Sequence, residues 1–360
     1  MPMLAERVDA VVGVDTHRDT HDAEIALPTG APIATCQVSN DSRGYAELLA
    51  WIGDHAPGSR VAVAIEGTRS YGIGLARAVS GAGVMVIECE QPNRKSRRGR
   101  GKSDAIDAHL AVLTALRLDA DQLPSPRADG DREALRILMD ARHELTDSST
   151  AQTNRLRALL LGGDDRDRDF ARGTFTDTRL AALARHRPAR DASREQVVRQ
   201  AEIRRLALAL RESHRALRAN SRELQRIVDD LAPGLTDRRG IGPITAAQAI
   251  VSFSHPGRCR NEGAFAALAG ASPLEASSGH TKRHRLNRGG DRALNSALHT
   301  IAMVRMRSCP TTKAYLARRT AEGKTTREIR RCLKRYIARE LYRFLTATMT
   351  TTSSNASSAA

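Results

Sequence analysis

The sequence predicts an α/β domain followed by a chain that is almost entirely helical. Short apolar runs alternate with helical periods over the first ~115 residues. From about residue 132 onward, apolar residues recur at spacings of three and four, and strand-like runs disappear. A third feature points to function: 57 Lys and Arg face 41 Asp and Glu, a net charge of +16 over 360 residues.

Taken in order, residues 11–14 (Val-Val-Gly-Val) form a buried strand that ends on Asp15. Residues 22–27 and 32–38 are hairpin partners, joined through Pro28-Thr29-Gly30, a turn composition. Residues 45–52 carry a helical period. Residues 60–65 form a second strand, ending on Glu66, followed by a helix over 73–80 and a third strand over 84–88. A helix over 104–118 closes an α/β layout with a mixed sheet. The stretch 91–102, Gln-Pro-Asn-Arg-Lys-Ser-Arg-Arg-Gly-Arg-Gly-Lys, has no apolar period and is expected to be an arm that orders on nucleic acid.

Helical patterns resume over 132–161 and 193–231, separated by an acidic, glycine-bearing break at 162–169 and a region around Pro188. They predict an antiparallel hairpin or coiled coil, with the apolar period of 197–227 as an oligomer interface. Arg239-Gly240-Ile241-Gly242-Pro243 reads as a glycine turn opening a helix, of the kind that offers backbone N–H groups to a phosphate. Two more helices, 293–306 and 326–345, end the fold, and the low-complexity residues 346–360 are expected to be disordered. The expected domains are thus 1–125, 126–235 and 236–345, with a tail.

Four acids stand out: Asp15, Glu66, Asp104 and Asp107. The first two end strands, and the last two lie three apart on one helix face. Like charges brought together repel unless cations neutralise them, and oxygen-only sites suit Mg²⁺ or Mn²⁺. The surplus of positive charge calls for a polyanion. Six lysines leave 51 arginines, the side chain whose fork matches phosphate geometry. Candidate phosphate contacts are Arg94, Lys95, Arg97, Arg98, Arg100 and Lys102 in the arm, and Lys282, Arg283, Arg285 and Arg288 further on. The five cysteines are scattered without a C-x-x-C pair, which excludes a zinc ribbon and fits a reducing cytosol. Neither a membrane span nor a signal peptide is visible.

The order Asp, Glu, Asp-x-x-Asp, in the segments VVGVDTHRDTHDAEIAL (11–27), AIEGTRSYG (64–72) and RGKSDAIDAHLAVL (100–113), resembles the RuvC-like, RNase H-fold domain of the DEDD transposases of insertion-sequence family 110, the bridge-RNA-guided recombinases. RRGIGPITAAQAIVSF (238–253) and FAALAGASPLEASSGHTKRHRLNRGGDRALNSALHTIAM (265–303) resemble that family's C-terminal domain. The resemblance implies a mobile-element DNA recombinase. It implies Mg²⁺ on the four acids and a serine nucleophile, Ser278, with Ser277 its neighbour on the same motif. It also implies DNA and a structured noncoding guide RNA as partners, a homo-oligomer, and action at the bacterial nucleoid in the cytoplasm. Two departures stand out: Arg288-Gly289-Gly290 replaces a Lys-x-Gly pattern, and Leu294-Asn295 replaces Leu-Arg. The alternatives are a RuvC-like junction resolvase using water, an actin-like sugar kinase or ATPase, and an inert nucleic-acid-binding protein.

Overall fold

The computed structural model describes residues 2–89, 104–121, 123–188, 190–275, 284–285, 287 and 289–357. The chain divides into two compact units that do not follow chain order. Unit 1 comprises Met1–Glu133, Ser252–Asn295 and Arg331–Ala360; unit 2 comprises Ala134–Val251 and Ser296–Arg330. The unit boundaries fall within long helices, so they cut across the sequential segments expected from composition.

Unit 1 is built on a five-stranded sheet. Its strands are β1 (Ala10–Thr16), β2 (Thr20–Ala26), β3 (Pro32–Ser39), β4 (Val61–Glu66) and β5 (Met85–Cys89), in the order β3-β2-β1-β4-β5. β1 and β3 run antiparallel to β2, while β4 is parallel to both β1 and β5. Helices α1 (Ser42–His55) and α2 (Ile73–Gly81) cover one face; there Leu48, Ile52, Leu75 and Val79 meet Val12, Val14, Val63 and Ile65. Helix α3 (Asp104–Leu116) covers the other, where Ala111, Val112 and Ala115 meet Val11, Ala62, Ala64 and Ile87. The mixed sheet and its helices match the expected order, element by element.

Gly13 sets how closely α3 can approach. A Cβ there would lie 2.1 Å from the Ala108 carbonyl oxygen and 2.8 Å from a Val112 methyl. The first of these is backbone and cannot swing aside. Gly13→Ala should therefore destabilise unit 1 by about 3 kcal/mol, the upper end of overpacking costs. Urea unfolding checks this, and an unchanged midpoint would mean that α3 is not seated on β1.

In unit 2 the long helix α4 (Gly130–Leu161) packs against α7 (Arg194–Leu231). Their direction is antiparallel, since Asn220 bonds the Leu138 carbonyl while Leu156 and Leu160 cluster with Ile203, Leu206 and Leu210. Ser193 opens α7 with a reciprocal cap to Gln196. Two short helices lie between them: α5 (Asp165–Arg172), which begins inside the expected break at 162–169, and α6 (Asp177–Arg185). Asp164 and Thr176 cap them through side-chain oxygens, and Ala171, Phe175, Leu180 and Leu183 enter the α4–α7 core. This packing corrects the expected interface. Ile203, Leu206 and Leu210 are 0–2% exposed within the single chain, so the apolar period of α7 is largely consumed inside unit 2.

Four more helices follow: α8 (Pro243–Phe253), α9 (Glu262–Leu268), α10 (Arg292–Ser308) and α11 (Pro310–Ala321). The last was not expected from the periodicity; Pro310 starts it at a position where a missing N–H costs nothing. α12 (Thr326–Ser357) continues beyond the predicted end at 345 into the low-complexity stretch. In unit 1, Phe253, Phe265 and Tyr342 form an aromatic cluster, and Arg339 and Arg343 both pair with Glu262. Among the described residues, no helix is long and apolar enough to cross a membrane.

Candidate active site

Strand alternation decides where the acids point. On β1, Val12 and Val14 face α1 and α2, whereas Val11 and Gly13 face α3. Asp15 continues the second set. On β4, Val63 and Ile65 face α1 and α2 while Ala62 and Ala64 face α3, so Glu66 again projects on the α3 side. The parallel register pairs Val14 with Ile65, which leaves Asp15 and Glu66 one step beyond on adjacent strands. Asp107 stands on α3 beside Ala108, the residue whose carbonyl abuts Gly13. All three acids are buried, at 8%, 6% and 7% exposed. Asp15 Oδ2 lies 3.3 Å from His17 Nε2, and the Thr16 hydroxyl donates to the Glu66 carbonyl at 2.8 Å. Asp104 is the first residue of α3, and its side chain lies outside the described residues.

Two acids that the sequence pattern does not single out share this face. β2 places Asp22 directly opposite Asp15, and Glu24 opposite Gly13. Directly opposed residues of antiparallel strands project to the same side. Glu24 is buried against His109 of α3, Oε1 to Nδ1 at 2.6 Å. Asp22 accepts a 3.0 Å hydrogen bond from Gln37 on Oδ1, and its Oδ2 is buried with no hydrogen-bond partner among the described residues. The signal is present as period-two acids in a predicted strand, but only the register brings them to Asp15.

The neighbouring strand carries a structural ion pair. Arg127 donates to Glu88 through its backbone N–H at 3.1 Å and through Nε at 2.8 Å. Burial pushes the Glu88 carboxyl up, but the Arg127 hydrogen bonds and charge outweigh it and hold the group below its ordinary range. The folded pKa is thus depressed. The pair's stabilisation is complete above the unfolded value of ~4.3 and is lost as pH falls through the lower folded value. Glu88→Gln should cost about 3–5 kcal/mol at neutral pH, because it strands a buried guanidinium. The deficit should shrink below about pH 4, and a pH-independent deficit in denaturant melts would contradict the assignment. Next to it, burial, with Glu66 and Glu88 adding to it, pushes the Cys89 thiol up to about 12, so this thiol is inert.

The C-terminal part of unit 1 holds a two-stranded ribbon, β6 (Leu274–Glu275) antiparallel to β7 (His284–Arg285). The predicted Ser277, Ser278, Lys282 and Arg283 fall between these strands and lie outside the described residues, as do Arg288 and the arm positions Arg94, Lys95, Arg97, Arg98, Arg100 and Lys102. Arg285 is placed by its backbone alone. Beyond the ribbon, a tight turn leads into α10. There Gly290 has φ +95°, and a Cβ would meet the Leu268 carbonyl at 2.3 Å. Asp291 caps α10 by accepting from the Leu294 N–H at 2.9 Å, and it accepts the Ser252 hydroxyl at 2.6 Å. Asn295, the departure noted in the sequence, donates to the Ala269 carbonyl at 2.6 Å and accepts from Lys334 Nζ at 2.7 Å. It thereby holds the 269–273 loop and orients a lysine from α12. Sequence spacing gives no sign of that lysine.

Fold and site together define a carboxylate-centred α/β domain coupled to basic helical segments. The family model of DEDD transposases of the IS110 type matches residues 12–163, and that of the transposase IS116/IS110/IS902 family matches residues 233–317. The chain belongs to the IS110 family of transposases. Two relatives from Streptomyces coelicolor are similar to it. A mini-circle protein assigned as a transposase for IS117 is 27% identical over 163 residues, covering 44% of this chain and 39% of the relative. A 43.6 kDa protein of insertion element IS110 is 34% identical over 119 residues, covering 32% and 29%. The matched stretches thus span well under half the length of either relative. The family's DEDD designation points to divalent-metal use; among the described residues, no three His, Cys, Asp or Glu side chains are grouped to hold a metal ion.

Proposed function

We propose that this chain is the transposase of a mobile insertion sequence, a site-specific recombinase that cuts and rejoins DNA under the direction of an element-encoded RNA. The carrying observation is the set of buried acids, Asp15, Glu66 and Asp107, on one side of the sheet. The sheet order, with one antiparallel hairpin flanking a parallel trio, supports an RNase H-like, RuvC-like domain, and the antiparallel α4–α7 pair serves as its coiled-coil arm.

The donor types suit a divalent cation, while the described side chains are not grouped to hold one as they stand. The donors are all oxygen, they are withdrawn from water, and the unpartnered Asp22 Oδ2 lies across from Asp15. Asp15, Glu66 and Asp107 would hold Mg²⁺ or Mn²⁺, with Asp104 as the fourth ligand. A bound cation there supplies positive charge against the phosphate. Ser278 Oγ attacks the phosphorus of a DNA phosphodiester, its proton passing to a base. The bond from phosphorus to the departing strand's oxygen breaks, leaving a phosphoserine and a free hydroxyl. A hydroxyl from the partner strand then attacks the phosphoserine and restores the serine. Lys282, Arg283, Arg285 and Arg288 hold the phosphates on either side. Joining two duplexes requires more than one active site, so the working form is a homo-oligomer. It acts in the cytoplasm at the nucleoid.

Incubating the protein with its guide RNA and a plasmid carrying both element ends tests this directly. Nicked and rejoined products should form in Mg²⁺. Products that persist in excess chelator, or none under any condition, would remove the reading. Electrostatics gives a second test. Affinity for nucleic acid should fall with salt at a log–log slope of about −0.7 to −0.9 per phosphate neutralised. Replacing Arg97, Arg98 and Arg100 by alanine should flatten that slope by about 2–3. An unaltered slope would make the arm a solvated loop.

A further inference from the structure

A cavity in unit 1, of about 220 Å³, lies between the loop 270–273 and one face of α12. Gly270, Ala271, Ser272, Pro273, Asn287 and Cys332 line it without charge. Arg331, Lys334 and Arg335 also line it, spaced three and four apart so that all three share one helix face. Lys334 is 9% exposed and is oriented by Asn295, while Arg331 and Arg335 are exposed. Among the described residues, no carboxylate lines the cavity, and neither Arg331 nor Arg335 has an acidic partner. Arg331 and Arg335, four apart on one helix face, repel one another, and this arrangement is relieved by an anion.

Neither half of the lining suits a simple ion. The uncharged, mostly apolar part of the lining gives little to a free phosphate, and an apolar ligand would not need the arginines. A nucleotide satisfies both, because its base is flat and largely apolar while its phosphate is anionic. Guanidinium planes also stack on bases. The loop leads straight into β6, so the cavity adjoins the ribbon that carries the serine segment.

We propose that this cavity receives one unstacked nucleotide of the nucleic-acid strand next to the one being attacked, with its base between the 270–273 loop and Cys332 and its phosphate on Arg331 and Arg335. The pocket thereby fixes the register of the strand on this unit. This role rests on the transposase reading, and the experiment separates the two.

Cys332 supplies the probe. The full-length protein is alkylated with N-ethylmaleimide, alone and with a single-stranded deoxythymidine decamer, and each cysteine is followed by mass spectrometry. Cys309 is the internal control. It lies outside the cavity, and hydrogen bonds from Thr311 and Thr312 bring its thiol down to about 7, so it reacts readily. The decamer should slow labelling of Cys332 by about tenfold, the scale of one stacked base, and leave Cys309 unaltered. A decamer of abasic sites, with phosphates kept, should protect at most weakly. Arg331→Ala with Arg335→Ala should abolish protection by either. Equal protection by the abasic strand would reduce the site to phosphate contact and overturn the proposal. Salt-sensitive binding without protection of Cys332 would overturn it while sparing the transposase reading. Absence of any binding would overturn both.

Discussion

Replacing any one of Asp15, Glu66 or Asp107 should abolish strand cleavage while the protein stays folded. The effect should reach at least ~10³-fold, the scale on which loss of one preorganised electrostatic group acts on a rate. The three side chains come from β1, β4 and α3, and all are less than one-tenth exposed. Burying several carboxylates on one side of a sheet is unfavourable unless something positive joins them. Alanine or amide variants need not unfold the domain, since the sheet beneath them is held by apolar contacts with α1, α2 and α3. Asp15→Asn and Glu66→Gln should melt at or above the parent temperature, lose Mn²⁺ binding by calorimetry and lose cleavage. Asp107→Ala should be similar or slightly milder. A folded Asp15→Asn protein that cleaves at the parent rate would remove the nuclease hypothesis. Asp22→Asn is the informative companion. If the unpartnered Oδ2 faces a cation, the amide should weaken Mn²⁺ binding without changing the fold.

The acids are legible because each ends an apolar run or lies on a predicted helix, and strand parity is written in the sequence. Val11, Gly13 and Asp15 are every second residue, as are Ala62, Ala64 and Glu66. Asp22 and Glu24 obey the same parity, yet nothing local marks them. Their relevance depends on a register, Asp15 against Asp22, that no local pattern specifies. The helices α5 and α6 are hidden for a different reason. α5 alternates Asp and Arg behind two glycines and α6 is only nine residues long, and they exist because α4 and α7 give Phe175, Leu180 and Leu183 somewhere to pack. The same packing explains why the α7 period misleads as an interface. Periodicity shows that a helix has an apolar face but not whether the partner is the same chain. In the sequence Asn295 is a lost charge, whereas its bonds to Ala269 and Lys334 make it a spacer for a loop and a cation. Partners 39 residues away, on another helix, are beyond what spacing can reveal.

Ser278→Ala should eliminate a covalent protein–DNA intermediate and, with it, strand exchange. A serine hydroxyl is a weak nucleophile until a base or a nearby positive charge activates it. The sequence surrounds Ser278 with His280, Lys282, Arg283, His284 and Arg285. The ribbon formed by β6 and β7 pairs Leu274 with Arg285 and Glu275 with His284, on either side of the serine in sequence. Removing Oγ leaves the acids and the basic residues in place, so Ser278→Ala should bind Mn²⁺ and nucleic acid as the parent does while yielding no adduct. Ser277→Ala should keep at least part of both adduct and exchange. Trapping the reaction with a nicked suicide substrate, digesting the protein and identifying the DNA-linked peptide by mass spectrometry would decide between the two serines. A resolvase using water would cleave with no adduct at all, and a kinase would neither cleave nor bind DNA covalently. An adduct mapped to Ser277, or efficient strand exchange by the Ser278→Ala protein, would overturn the assignment.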